Sequence, residues 1–251
     1  MARAMSLVEV ASLEALTFLD RYLLPGIFKR VMWLAKGSWG AVVVPLGTNL
    51  DETVQVAPSE EILEIVKRCR VVAVGQCYCR RRNEDRRYPS ETCVILGESY
   101  DLEEVERFHP LEGSSRQISV EELEDLLKKC DRAGLVHQLI FFPSPRFFYV
   151  ICNCAPESCT ALRNLIRHGA PSVVKSNFAE RTNEELCTAC GTCVERCPFG
   201  ARSVQGGRLG VNSARCFGCG LCVPTCPAKA VKLVRRRAST AASNPAAAPT
   251  P

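Results

Sequence analysis

Eight cysteines between Cys187 and Pro227 constrain this chain more than any other feature. They fall in two copies of one pattern: Cys187, Cys190, Cys193 and Cys197-Pro198, then Cys216, Cys219, Cys222 and Cys226-Pro227. Each copy reads C-x2-C-x2-C-x3-C-P, the second follows 29 residues after the first (Cys187 to Cys216), and each has a glycine after its second cysteine, Gly191 and Gly220. Cysteines two residues apart let one tight loop offer three thiolates to one centre, and the fourth ligand has to come from elsewhere. The prolines withhold an N–H and stop an ordinary helix from continuing. The glycines admit positive φ and a close approach of backbone. Structural zinc usually shows two separated C-x2-C pairs rather than a run of three plus one, and disulfides need no such repeat. The spacing points to [4Fe–4S] cubanes, which are held by four cysteine thiolates.

With copies reading CTACGTCVERCPFGA and CFGCGLCVPTCPAKA, residues 180–234 resemble the bacterial-type 2[4Fe–4S] ferredoxin domain. In that family the fourth cysteine of each run ligates the other cluster. The resemblance therefore implies one cluster on Cys187, Cys190, Cys193 and Cys226, and a second on Cys216, Cys219, Cys222 and Cys197. It also implies a short hairpin between the two cluster loops, and Arg202–Val211 with Gly206-Gly207 suits it. Val194, Phe199, Phe217, Leu221 and Val223 would shield the clusters.

A second cysteine region lies upstream. Cys77-Tyr78-Cys79-Arg80 is followed by Cys93, and Cys152-Asn153-Cys154 is followed by Cys159. Both C-x-C pairs end apolar runs that read as strands, VVAVGQCYC and FFYVICNC, which could lie side by side and bring their thiols to one sheet edge. Six converging thiols would suit a third iron–sulfur centre; a structural zinc site and buried free thiols or a redox-active pair are the alternatives. Residues 58–178 also resemble the amino-terminal domain that precedes ferredoxin modules in a poorly characterised group of 4Fe–4S binding proteins, in which C-x-C-R and I-C-N-C segments recur. Here Cys154-Ala-Pro-Glu-Ser-Cys159 stands where the matching spacing would be denser, which leaves ligand identity and cluster type open. Cys69 and Cys130 fall outside the pattern, Cys130 on an apolar helix face as core. His109 and His137 lack the partner that a catalytic base needs.

The rest of the chain supplies the frame. Residues 7–36 carry Leu13, Leu16, Leu19, Leu23, Ile27, Val31 and Leu34 at helical spacing, broken at Pro25-Gly26. They read as core helices or as a docking surface, with Trp33 and Trp39 nearby. Val42–Leu46 and Val71–Val74 read as strands, with a helix from Ser59 to Lys67 or Cys69 between them. Ser119-Val-Glu-Glu122 is a capping box, with Gly134 closing its helix. Leu135–Phe142 and Phe147–Ile151 read as a hairpin, Glu157–His168 as a helix closed by Gly169, and Val173–Glu180 as a strand leading into the repeat. Arg80, Arg81, Arg82, Arg86 and Arg87 form a basic run, read as a solvated loop or as a field that favours cluster reduction and steers an acidic partner. The expected fold is α+β: an amino-terminal docking segment (1–57), an α/β-type cysteine-containing domain (58–178), a ferredoxin-like module of short hairpins and helices (179–234), and a disordered Ala/Pro/Ser-rich tail (235–251).

Composition limits the function. At 251 residues, with 47% hydrophobic and 24% charged residues, the chain is ordinary for one or two globular domains. A net charge of +5 without an aromatic-basic pattern does not suggest nucleic acid. Thiolate ligands among sixteen cysteines argue for a reducing compartment, the cytoplasm. No signal peptide or stretch of eighteen uncharged apolar residues is evident, and peripheral membrane contact has little basic charge to support it. No phosphate-binding glycine loop indicates a nucleotide or flavin. The expectation is an electron carrier, or the electron-delivery subunit of an oxidoreductase complex, rather than a stand-alone enzyme. The alternatives are a redox enzyme whose substrate binds a third cluster, and a redox-sensing or structural partner protein.

Overall fold

The structure is a computed structural model that describes residues 40–46, 49, 62–97, 115–141, 148–169 and 173–236. The apolar stripe of residues 7–36, Trp33, Trp39, Ser59, His109 and the chain beyond residue 236 lie outside them. In order, the elements are β1 (Gly40–Val43), α1 (Ile62–Val66), β2 (Val71–Gln76), α2 (Tyr78–Arg82), β3 (Glu91–Gly97), β4 (Arg116–Gln117), α3 (Val120–Ala133), β5 (Val136–Phe141), β6 (Phe148–Cys154) and α4 (Thr160–His168). The carboxy-terminal segment adds β7 (Phe178–Thr182), α5 (Thr192–Glu195), β8 (Arg202–Gln205), β9 (Arg208–Val211) and β10 (Val231–Arg235).

Strands β1 to β6 form one sheet in the order β1-β5-β6-β3-β2-β4, and every pairing is antiparallel. The cysteine-containing half is thus α+β, not the expected α/β type. Only residues 142–147 separate β5 from β6, too few for the crossover that a parallel pair needs. The two C-x-C strands are not neighbours either: β3, carrying Cys93, lies between β2 and β6. The expected strand over Val173–Glu180 begins only at Phe178, although Val174 forms a parallel bridge to Val42.

Side-chain alternation along the strands divides the two faces. Val72, Val74, Val94, Leu96, Leu139 and Ile151 bury against Ile62 and Ile65 of α1 and Leu123 and Leu127 of α3. Each such side chain contributes about 1.5–3 kcal/mol by leaving water. On the other face, Ala41, Val43, Val136 and Cys154 pack with Cys159, with Leu162 of α4, and with Phe199, Cys219 and Leu221 of the carboxy-terminal segment. The second face is therefore the seat of the cysteine repeat.

Helix α3 starts where expected. Ser119 Oγ accepts from the Glu122 N–H at 3.2 Å, and Gly134 ends the helix at φ 89°. The reciprocal arm of the box is replaced, since the Glu122 carboxylate accepts from Arg116 Nη2 at 2.5 Å. Strands β8 and β9 form the expected hairpin through Gly206 and Gly207, both at positive φ. Strand β10 pairs with β7 through Arg235, and the Arg236 N–H donates to Asn177 O, so the ordered chain extends past the expected start of the tail.

Candidate iron–sulfur sites

The pairing of β10 with β7 sets the geometry of the repeat. Its register places Val231 opposite Thr182, which brings the end of the second copy beside the start of the first. Gly191 and Gly220 take φ of 82° and 83°, turns that a side chain would strain. One small cavity is lined by Cys187, Cys190, Cys193 and Cys226, together with Pro227 and Val231. Cys219 and Cys222 each interact electrostatically with Cys216 and Cys197. Each run of three thus meets the fourth cysteine of the other copy.

The surroundings of these thiols suit sulfur that carries negative charge. Ala201 N–H donates to Cys197 Sγ and Ala230 N–H to Cys226 Sγ, both at 3.3 Å, at matching positions of the two copies. Arg202 is buried, donates from Nη1 to Cys193 Sγ at 3.3 Å, ion-pairs with Glu180, and interacts electrostatically with Cys222. Its guanidinium touches one thiol set and feels the other. Burial pushes the Cys219 thiol up and the Cys222 thiol up to about 12, so a group that binds them as thiolates has to supply positive charge. Phe199 stacks on Phe217 with centroids 4.4 Å apart, and Leu221 is buried in the same apolar cluster. Val194 and Val223 are half-buried and Cys190 is exposed.

The upstream thiols also come together. Cys93 pairs with Cys152 across β3 and β6, and alternation sets Cys152 and Cys154 on the same face. Hydrogen bonds link Cys152 to Cys154 and Cys93, and Cys159 to Cys154 and Cys79, while Cys77 interacts with Cys93 and Cys159. These bonds polarise the set. Cys152 accepts from Cys154 and Cys93 and is drawn down to about 6; Cys159 is drawn well down by Cys154, Cys79 and the N–H groups at the start of α4. Cys154 and Cys79 are correspondingly raised. Among the described residues, no three or more His, Cys, Asp or Glu side chains are grouped to hold a single metal ion, in either cysteine region.

The basic run divides. Arg81, Arg82, Arg86 and Arg87 are exposed, whereas Arg80 is only 2% exposed and donates from Nη1 to Asn153 O at 2.8 Å. Its Nε and Nη2 have no hydrogen-bond partner among the described residues. Cys130 is core beside Leu135 and Ala155, and Cys69 Sγ lies against Ile65 O. His137 lies on the opposite sheet face from the Cys152–Cys154 thiols, its Nδ1 2.6 Å from Asn153 Oδ1. Because Asn153 Nδ2 donates to Thr92 O, that Oδ1 accepts and His137 Nδ1 carries the proton. Burial lowers the His137 pKa and keeps the ring neutral.

Sequence reasoning missed Arg202, the Ala201 and Ala230 donors, and the inward turn of Arg80. An arginine reads the same in a sequence whether it faces water or sulfur, and backbone donors have no residue signature.

The family model for the 4Fe-4S dicluster domain matches residues 179–227. The carboxy-terminal segment is thus of 4Fe–4S ferredoxin type. No curated protein matches the chain. No helix among the described residues is long and apolar enough to cross a membrane.

Proposed function

We propose that this chain is an iron–sulfur electron-transfer component with two [4Fe–4S] clusters. Cys187, Cys190, Cys193 and Cys226 would hold one, and Cys216, Cys219, Cys222 and Cys197 the other. The observation that carries this reading is the cavity in which Cys226 joins the first run, matched by Cys197 beside the second. When bound, each cluster accepts and returns one electron. The chain's own residues set the conditions for that exchange. The Ala201 and Ala230 N–H groups and the Arg202 guanidinium favour negative charge on the sulfurs, and hydrogen bonds to the sulfurs tune the potential. Phe199, Phe217 and Leu221 exclude water on the side that meets the sheet. The partners are redox proteins, with the chain acting as carrier or as the electron-delivery subunit of an oxidoreductase, in a reducing, cytoplasmic setting.

Crossed ligation makes this testable. Cys226→Ser should disturb the cluster of the first run and Cys197→Ser that of the second, each leaving the other cluster's EPR signal in place. If Cys226→Ser altered only the cluster of its own run, the crossed arrangement would be wrong.

A further inference from the structure

Cys77, Cys79, Cys93, Cys152, Cys154 and Cys159 are drawn from the end of β2, α2, β3, β6 and the residue capping α4, five places in the fold with no common local cause. Cys93, Cys154 and Cys159 are buried, and Cys93 stands opposite Cys152 across β3 and β6.

Arg80 is the independent observation. It is buried almost completely, two of its nitrogens have no hydrogen-bond partner among the described residues, and its charge acts on Cys77. A buried guanidinium without an anion is costly. A set of neutral thiols, which behave as small apolar groups, would leave that charge uncompensated. Several thiolates would in turn repel one another unless metal cations hold them, and an anionic metal–thiolate centre answers both demands. A cubane spreads its four thiolates over four irons, one at each corner.

Position completes the case. Cys152, Cys154 and Cys159 share one apolar cluster with Phe199, Phe217 and Leu221, and with Cys197 and Cys219 of the second ferredoxin-type set. None of the first set's four cysteines belongs to that cluster.

We propose that these six cysteines are the ligand set from which a third iron–sulfur centre takes its four thiolates, with Arg80 as its buried counter-charge. The centre lies beside the cluster site of Cys216, Cys219, Cys222 and Cys197. Electrons would pass between this centre and the first run's cluster by way of the second. The order of transfer rests on the two-cluster reading; the third site does not.

The test is iron and acid-labile sulfide analysis, with EPR after dithionite reduction, of the full chain reconstituted anaerobically with ferrous iron and sulfide. Wild type should hold about four more irons and sulfides than Cys77→Ser/Cys154→Ser, which keeps about eight and the two ferredoxin-type signals. Equal iron near eight in both proteins overturns the third centre and leaves the two-cluster reading intact. Zinc that the variant loses, without sulfide, also overturns it. A difference of about four with fewer than eight irons left in the variant supports the third centre and counts against the two-cluster reading instead. If the double variant does not fold, Arg80→Gln decides: the third EPR signal should shift to lower potential or disappear. A third signal unaffected by Arg80→Gln overturns the counter-charge.

Discussion

Replacing Arg202 with glutamine should lower the reduction potential of the cluster proposed at Cys193. The guanidinium donates to Cys193 Sγ at 3.3 Å and is buried, so its positive charge favours the more negative, reduced state. With an effective dielectric of about 20, unit charges at that distance interact by about 5 kcal/mol, or about 220 mV for one electron. That is a ceiling, because the added electron spreads over the cluster and Glu180 offsets part of the Arg202 charge. The expected drop is about 50–100 mV, a modest fraction of the ceiling. An EPR-monitored redox titration of the full chain would measure it. Glu180→Gln should move the potential upward, and the double variant should fall between the two singles. An unchanged or raised potential in Arg202→Gln would refute the electrostatic role.

Three further outcomes follow from local geometry. Gly218→Ala should destabilise the chain by about 2–4 kcal/mol in thermal unfolding, since φ is 67° and a Cβ would collide with Phe178 O and Ser176 Oγ; a loss under 0.5 kcal/mol would contradict that packing. Ser119→Ala should cost about 1 kcal/mol in denaturant unfolding, through the lost bond to the Glu122 N–H. The Arg87 guanidinium holds the Asp85 carboxyl down at about 2. A depressed folded-state pKa contributes stability that is complete above the unfolded value near 3.8 and is lost as pH falls through the folded value. The stability gap between wild type and Asp85→Asn should therefore be constant above about pH 5 and close toward pH 2.

Much of this architecture is legible in the residues, for physical reasons. The cysteine repeat is legible because cluster ligation demands fixed spacing, and α3 because Ser119 and Gly134 mark its ends. The β8–β9 hairpin is signalled by paired glycines that only a turn would favour. What escapes is whatever depends on long-range pairing. The insertion of β3 between the two C-x-C strands is a matter of strand order, which side-chain alternation does not encode. The same order sets Cys93 directly opposite Cys152, a pairing within the expected six-thiol set that spacing along the chain does not specify. Arg80 reads as one more member of a solvated run, and only the packing of the sheet end shows it turned inward. Arg202 is hidden for the same reason, because the partners that matter, Cys193 and Glu180, come from other elements.

Iron and sulfide content tests the two-cluster claim most directly. The full chain, reconstituted anaerobically, should hold at least about eight irons with equal sulfide, and dithionite reduction should produce [4Fe–4S] EPR signals that diminish when Cys190 or Cys219 is replaced by serine. A count near four, or zinc without sulfide, would contradict it.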